Sequence, residues 1–274
     1  MLGIGLGLGP HARRPGGRAL LPATAALAAR MTSAPDHGRL LAIDGLISAL
    51  TAAGLWPKID ALYVLAGHDA QASRLNWVQA AYDLTAVNSP AFTADRGWQG
   101  DGTTSYLTSG FNPAIAGNRL SQNSSHLGIW SLTNLQNDGG ANSSDIGSRA
   151  AGVSDYSINR FGASSPGGAV MGIGHNGAAY GAATPALYPG HVSWSRTAAT
   201  VWEAFSDGMV VGSGTQTSTA PNAVEFRLLA SNGRGFGVNQ LAAAHWGAGL
   251  APADMLVLRN ALRTYLVTVG ALAP

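Results

Sequence analysis

The spacing of apolar positions changes character along the chain. Leu40, Ile43, Ile47 and Leu50 lie three or four apart, which predicts a helix over residues 40–53 ended by Gly54. Residues 20–30 are rich in Ala and Leu with Pro22 near the start, and predict a shorter helix. Trp56 and Pro57 open a third stretch whose apolar positions, Ile59, Leu62, Tyr63 and Leu65, read as a short helical piece. Trp56 itself reads as a core anchor.

From Phe111 onward the period is two and turns recur. Residues 126–131, 145–149, 156–161, 170–173, 191–196, 224–228 and 241–246 predict strands, with Leu127 and Ile129 on one face and Glu225 and Arg227 facing outward. Residues 201–206 and 209–211 flank Asp207-Gly208, the strongest hairpin signal in the chain. The last segment returns to helical spacing: Pro252 and Asp254 suit a first turn, and Met255, Leu258, Leu262, Tyr265, Leu266 and Val269 form one stripe. Short strands repeated at intervals of roughly 8–12 residues indicate a sandwich or barrel.

Composition narrows this further. Apolar residues make up 46% of 274 residues, enough for a core, while charged residues make up only 11%. With 37 Gly, the surface must be built largely from Ser, Thr, Asn and Gly. Arg13, Arg14, Arg18, Arg30 and Arg39 against Asp36 give the first 39 residues a net charge of +4. The remainder carries −2, so the basic character sits at the N-terminus and no nucleic-acid binding is expected of the body. No Cys is present, which excludes disulfides and thiolate metal sites. Leu2, Ile4, Leu6 and Leu8 alternate with Gly, too short a run for a membrane span and in the wrong order relative to the arginines for a signal peptide. The alternation fits an extended strand added to the edge of another protein's sheet.

The stretch Gly97, Trp98, Gln99, Gly100, Asp101, Gly102, followed by Tyr106 and Leu107, resembles the early strand of concanavalin A-like sandwich domains. The close of the chain, small residues and then a helix carrying Tyr265 and Leu266, resembles the end of such domains in phage and prophage proteins. The expected fold is therefore mainly β: a concanavalin A-like antiparallel β-sandwich (jelly roll) with N-terminal helices and a C-terminal helix. Residues 1–39 are expected as an extended arm, 40–69 as a helical cover and 70–274 as the sandwich, ending in a helix over 252–269.

Residues 55–65, Tyr82-Asp83-Leu84, residues 90–97 and Gly100-Asp101-Gly102 together resemble phage tail-associated or prophage proteins of alphaproteobacterial type, gene transfer agents included. That resemblance implies a virion component assembled in the host cytoplasm: a tail-fibre, tail-tip or head-spike protein that meets host-surface glycan or receptor. It also implies attachment to other virion proteins through Leu2, Ile4, Leu6, Leu8, Arg13, Arg14 and Arg18, and a homo-oligomer. The other reading is a purely structural decoration or adaptor protein.

Candidate chemistry is sparse. Glycan-cleaving sandwich enzymes resemble one another in clustered carboxylates on one strand, because an acid and a nucleophile or base must flank the bond. Here Glu203 and Glu225 stand alone, so a depolymerase is disfavoured and no catalytic residue is expected. No Gly-x-Ser-x-Gly occurs, and the seven His show no paired metal spacing. No cofactor is expected beyond a structural Ca²⁺, for which Asp138, Asn142 and Asp145 are the oxygen donors of one loop. Sugar binding needs an aromatic face beside polar donors. Tyr156 with Asn159 and Arg160, and Tyr180 with His175 and Asn176, are the candidate groups. Trp130, Trp194, Trp202 and Trp246 sit in alternating strands and are expected in the core.

Overall fold

A computed structural model describes residues 19–115, 117–135, 143–160, 169–175, 189–232 and 235–274. Two antiparallel sheets pack face to face, and helices cover the outer side of one of them. The larger sheet contains β1 (Ile59–Val64), β3 (Ala91–Thr93), β4 (Gly97–Gln99), β6 (Ser125–Ser131), β10 (Gly190–Arg196), β11 (Val201–Ser206), β12 (Met209–Thr215) and β16 (Gln240–Gly247). Its order is β12-β11-β10-β6-β16-β4-β3, with β1 also paired to β16. The smaller sheet runs β2 (Thr85–Val87), β5 (Tyr106–Thr108), β13 (Arg227–Leu228), β7 (Ser143–Ala150), β8 (Ser154–Arg160) and β9 (Ala169–His175). A two-stranded ribbon, β14 (Ala230–Ser231) and β15 (Gly235–Phe236), lies against β7.

The period-two pattern explains the two layers. On the smaller sheet, cross-strand pairing aligns Ala86, Leu107, Leu228, Ile146, Ile158 and Met171 in one row. All but the half-buried Ala86 are buried core residues, and they meet Leu127, Ile129, Val192, Trp194, Ala204 and Trp246 of the opposite sheet. Trp194 and Trp246 are fully buried and Trp130 and Trp202 nearly so, as their alternating strands predict. Aromatic contact runs through this layer: Phe226 stacks on Trp246 at 4.9 Å between ring centroids.

A second core lies between the larger sheet and the helices. α1 (Pro22–Ala28), α2 (His37–Ala52) and α3 (Pro252–Thr268) contribute Leu27, Ile43, Leu46, Ile47, Leu50, Met255, Leu258, Leu262 and Leu266. Each such fully buried side chain is worth about 1.5–3 kcal/mol relative to exposure. Asp36 caps α2 by accepting the Arg39 amide at 2.8 Å, and Gly54 and Gly270 adopt positive φ just past the ends of α2 and α3. Among the described residues no helix is long and apolar enough to cross a membrane.

Two expectations are corrected. Residues 59–65 are not helical: Trp56–Lys58 forms one 3-10 turn and Ile59–Val64 is strand β1, paired with β16. Apart from the buried Asp60 its run is apolar, because both faces are covered. Ala61, Tyr63 and Leu65 face the sandwich interior, and Ile59, Leu62 and Val64 face the helices. A continuous apolar run of this length carries no period that separates helix from strand. The sandwich therefore begins at Ile59, inside the segment expected as a cover.

Nor do residues 19–39 form part of a free arm. Leu27 is buried, and the Asp44 carboxylate of α2 accepts the Leu21 amide (2.8 Å) and the Thr24 hydroxyl (2.7 Å). Arg30 donates to the Asn76 carbonyl (2.8 Å) and pairs with Asp83, while Arg39 pairs with Asp95 and donates to the Tyr265 hydroxyl (3.2 Å). These two of the five N-terminal arginines thus hold the fold together. Leu2, Ile4, Leu6, Leu8, Arg13, Arg14 and Arg18 lie outside the described residues.

Candidate functional site: the outer face of the smaller sheet

The two outer faces differ in chemistry. That of the larger sheet is apolar over much of its area and packs under α2 and α3. On the smaller sheet the row next to the apolar one aligns Thr85, Thr108, Arg227, Gly147, Ser157 and Gly172, and this polar row faces away from the core. Gly147 is required there: a β-carbon would stand 2.5 Å from the Ser231 hydroxyl, which the β14–β15 ribbon lays across the strand.

Next to this row is a cluster of half-exposed rings and charge. The Arg227 guanidinium lies 4.7 Å from the centre of the Tyr106 ring, and Phe236 of the ribbon lies 6.2 Å from that ring. Glu225 fixes the Arg227 Nε at 3.3 Å. Among the described residues the Tyr106 hydroxyl makes no hydrogen bond. An apolar ring face beside a cation, a carboxylate and an open hydroxyl suits the face and rim of a sugar.

Along β8 runs a polar ladder. Ser144 donates to Asn159 Oδ1 (2.5 Å), Asn159 Nδ2 donates to Ser157 Oγ (2.7 Å), and Ser157 donates to Asp155 Oδ1 (2.6 Å). Arg149 Nε stands 3.7 Å from Asp155 Oδ2. Ser144, Asn159, Ser157 and Asp155 are buried, and their mutual bonds remove the cost of burying them.

The predicted sugar residues fare unevenly. Tyr156 offers no exposed platform: it is fully buried between Trp194 and Phe226, since strand alternation turns it inward. Asn159 is equally buried and its amide is engaged in the ladder. Arg160 and His175 close β8 and β9, but their side chains lie outside the described residues, as do Asn176 and Tyr180 altogether. Asp145 is buried and accepts Asn239 Nδ2 at 3.2 and 3.1 Å. Its expected Ca²⁺ partners, Asp138 and Asn142, lie outside the described residues, and no group of three His, Asp or Glu able to hold a metal occurs within them.

Sequence spacing missed two arrangements. Tyr106, Arg227 and Phe236 are remote in sequence, and only the outward alternation of Arg227 marked any of them. His126, His191 and His245 come together on the outer side of the neighbouring strands β6, β10 and β16. His191 Nε2 lies 2.8 Å from His245 Nε2, and the His126 and His245 rings are 5.2 Å apart. His126 Nδ1 meets the Ala248 carbonyl at 2.5 Å. Glu203 and Glu225 lie on different sheets, on β11 and beside β13. Among the described carboxylates Glu203 alone makes no hydrogen bond or ion pair.

No family model matches the chain, and no curated protein does. Solved structures match its fold. Domain 4 of an extracellular GH43 arabinanase from Geobacillus stearothermophilus, in complex with arabinotriose, gives a TM-score of 0.50 at 15% identity, over 73% of this chain and 98% of that one. A Trypanosoma rangeli sialidase mutant displaying trans-sialidase activity gives 0.53 at 10% identity, over 84% of this chain and 40% of that one. The binding domain of botulinum neurotoxin DC, in complex with rat synaptotagmin II, gives 0.52 at 10% identity, over 76% and 52%. The chain thus spans about half or less of the sialidase and neurotoxin structures. At these identities the likeness is one of fold: the β-sandwich expected from the sequence.

Proposed function

We propose that this chain is a non-enzymatic binding module whose outer sheet face, centred on Tyr106, Arg227 and Phe236, takes a host-surface glycan or receptor. On this reading its leading residues fasten it to a virion as a tail-fibre, tail-tip or head-spike component. The observation that carries the binding role is the half-exposed aromatic pair with a cation over it, on the sheet face that none of the described helices covers. The arabinanase domain, matched over almost its whole length, was solved with an oligosaccharide, which supports the same reading. So does the structural use of the described carboxylates, all of which but Glu203 are engaged by partners.

The test is titration of the full chain against a glycan panel that includes arabinotriose. Tyr106→Ala and Arg227→Ala are expected to weaken binding by tenfold or more with little change in melting temperature. Attachment is tested by deleting residues 1–18, which should abolish incorporation into particles; a normal load of the truncated protein would refute it.

One observation favours a structural adaptor as the second reading. Met209 and Val210 on the edge strand β12 are 63% and 44% exposed. An apolar open edge fits strand addition by a neighbouring protein. Folded protein that binds no glycan, but loses particle assembly on Val210→Lys, would favour that reading. Release of reducing ends from host polysaccharide would instead support a depolymerase.

A further inference from the structure

Arg196, on β10, is fully buried inside the sandwich, and among the described residues no carboxylate pairs with it. Its Nε donates to the Ile173 carbonyl at 2.9 Å, and its Nη1 to the carbonyls of Gln216 (2.8 Å), Ala199 (3.0 Å) and Ala198 (3.4 Å). Its Nη2 has no partner. Carbonyls supply dipoles but no countercharge, and a buried unpaired cation is costly.

A second unsatisfied group lies beside the next residue of β9. The Tyr156 ring presses on Gly174, the residue after Ile173: a β-carbon there would stand 2.9 Å from Cε1 and 3.1 Å from the hydroxyl. That hydroxyl is buried and has no partner. Burial raises its pKa, with the Arg196 charge opposing, so at neutral pH it stays a neutral donor. Nor does the nearby sequence offer a countercharge. Residues 161–168 and 176–189, which flank β9, contain no Asp or Glu. Asp155, the neighbour of Tyr156, is engaged with Ser157 and Arg149 on the other side of the strand.

We propose that Arg196 Nη2 and Tyr156 Oη hold a small monovalent inorganic anion, chloride under cellular conditions, enclosed between β8, β9 and β10. One positive charge faces the site, so one negative charge balances it, and two donors complete its contacts. The site lies in the core, apart from the face assigned to glycan or receptor.

The test is thermal unfolding of the full chain in potassium chloride and in potassium gluconate at equal ionic strength, with crystals grown in bromide. Chloride is expected to raise the melting temperature saturably, by about 2–4 °C over gluconate. Bromide is expected to give an anomalous peak beside Nη2 and Oη. Tyr156→Phe keeps the ring and should demand about tenfold more chloride for the same rise. Arg196→Met should melt alike in both salts. If that variant does not fold, the wild type and Tyr156→Phe still decide. Equal wild-type melting in the two salts with no bromide peak, or a chloride effect unchanged in Tyr156→Phe, would overturn the proposal and leave water bridging the two groups.

Discussion

The His245 ring lies across Gly128 so closely that a β-carbon on Gly128 would stand 2.3 Å from its Cε1 and 2.4 Å from its Nε2. Gly128 sits on β6, directly opposite His245 on β16 and Ser193 on β10. The missing side chain is what lets an imidazole lie over the sheet at this point. Gly128→Ala should therefore overpack a buried site and cost about 1–3 kcal/mol. Urea unfolding of the variant measures this; an unchanged midpoint would mean that the ring moves aside freely.

The same cluster makes stability depend on pH. Burial holds His126 down to about 4, with the Ala248 carbonyl partly opposing. Burial, then the charges of Arg259 and His126, hold His191 down to about 3, and His245 also lies well below its ordinary value. The groups facing them are Arg259 from α3, the Ala248 carbonyl, and Asp207, whose Oδ1 accepts the His191 amide at 3.2 Å. The contact between His191 and His245 needs one ring as donor and the other as acceptor. A proton on the acceptor breaks it.

An unfolded histidine binds its proton near pH 6.5. Below that the unfolded chain takes up protons that the folded chain refuses, so stability is full above about pH 7 and falls as pH drops from 6.5 toward 4. Each of the three rings contributes a slope of up to about 1.4 kcal/mol per pH unit. Urea midpoints between pH 7.5 and 5, above most carboxylate titrations, should decline, and less steeply in His126→Gln. A flat profile would contradict the burial of these rings as neutral groups.

Alternation carried most of the sandwich into view. Leu127, Ile129, Trp194, Phe226 and Trp246 were placed inward from period two alone, and each is buried. The Asp207-Gly208 turn forms as expected, with φ of 47° and 79°, the positive values that a tight hairpin twist requires. What alternation cannot give is which face a strand covered on both sides belongs to, hence the helical reading of β1. Tyr156 looked like a platform beside Asn159, yet they differ by an odd number of residues, so one faces the core and the other the outer side. The histidine cluster and the group of Tyr106, Arg227 and Phe236 exist only once three separate segments are set side by side.

Asp60 shows how β1 is locked into the sheet it was not expected to join. Its buried carboxylate accepts the amides of Arg119 (2.9 Å) and Leu120 (2.7 Å), tying the strand to the connection ahead of β6. Asp60→Ala would strand both amides, and hydrogen bonds to a charged group are worth about 1.5–3 kcal/mol each. The variant should lose roughly 3 kcal/mol or more of stability, whereas Asp60→Asn, which keeps an acceptor, should lose less. Denaturant midpoints of the two variants distinguish these outcomes; equal losses would mean that the acceptor contributes nothing beyond its shape.

Asp101 stands at the centre of the Gly-Asp-Gly turn that joins β4 in one sheet to β5 in the other. Burial works against its charge, but the amides of Ser105, Thr104 and Thr103 all donate to it, and the Thr104 hydroxyl adds a fourth bond. The donors prevail and hold the carboxyl well below the usual range. The turn therefore needs an acceptor more than it needs a charge. Asp101→Ala should cost about 1 kcal/mol, by analogy with the loss of a helix cap, and Asp101→Asn clearly less. Because this turn carries the chain to Tyr106, Asp101→Ala should also weaken glycan binding in the titration that tests Tyr106→Ala. Unaltered binding with lowered stability would show that Tyr106 is positioned by its pairing with Val87 alone.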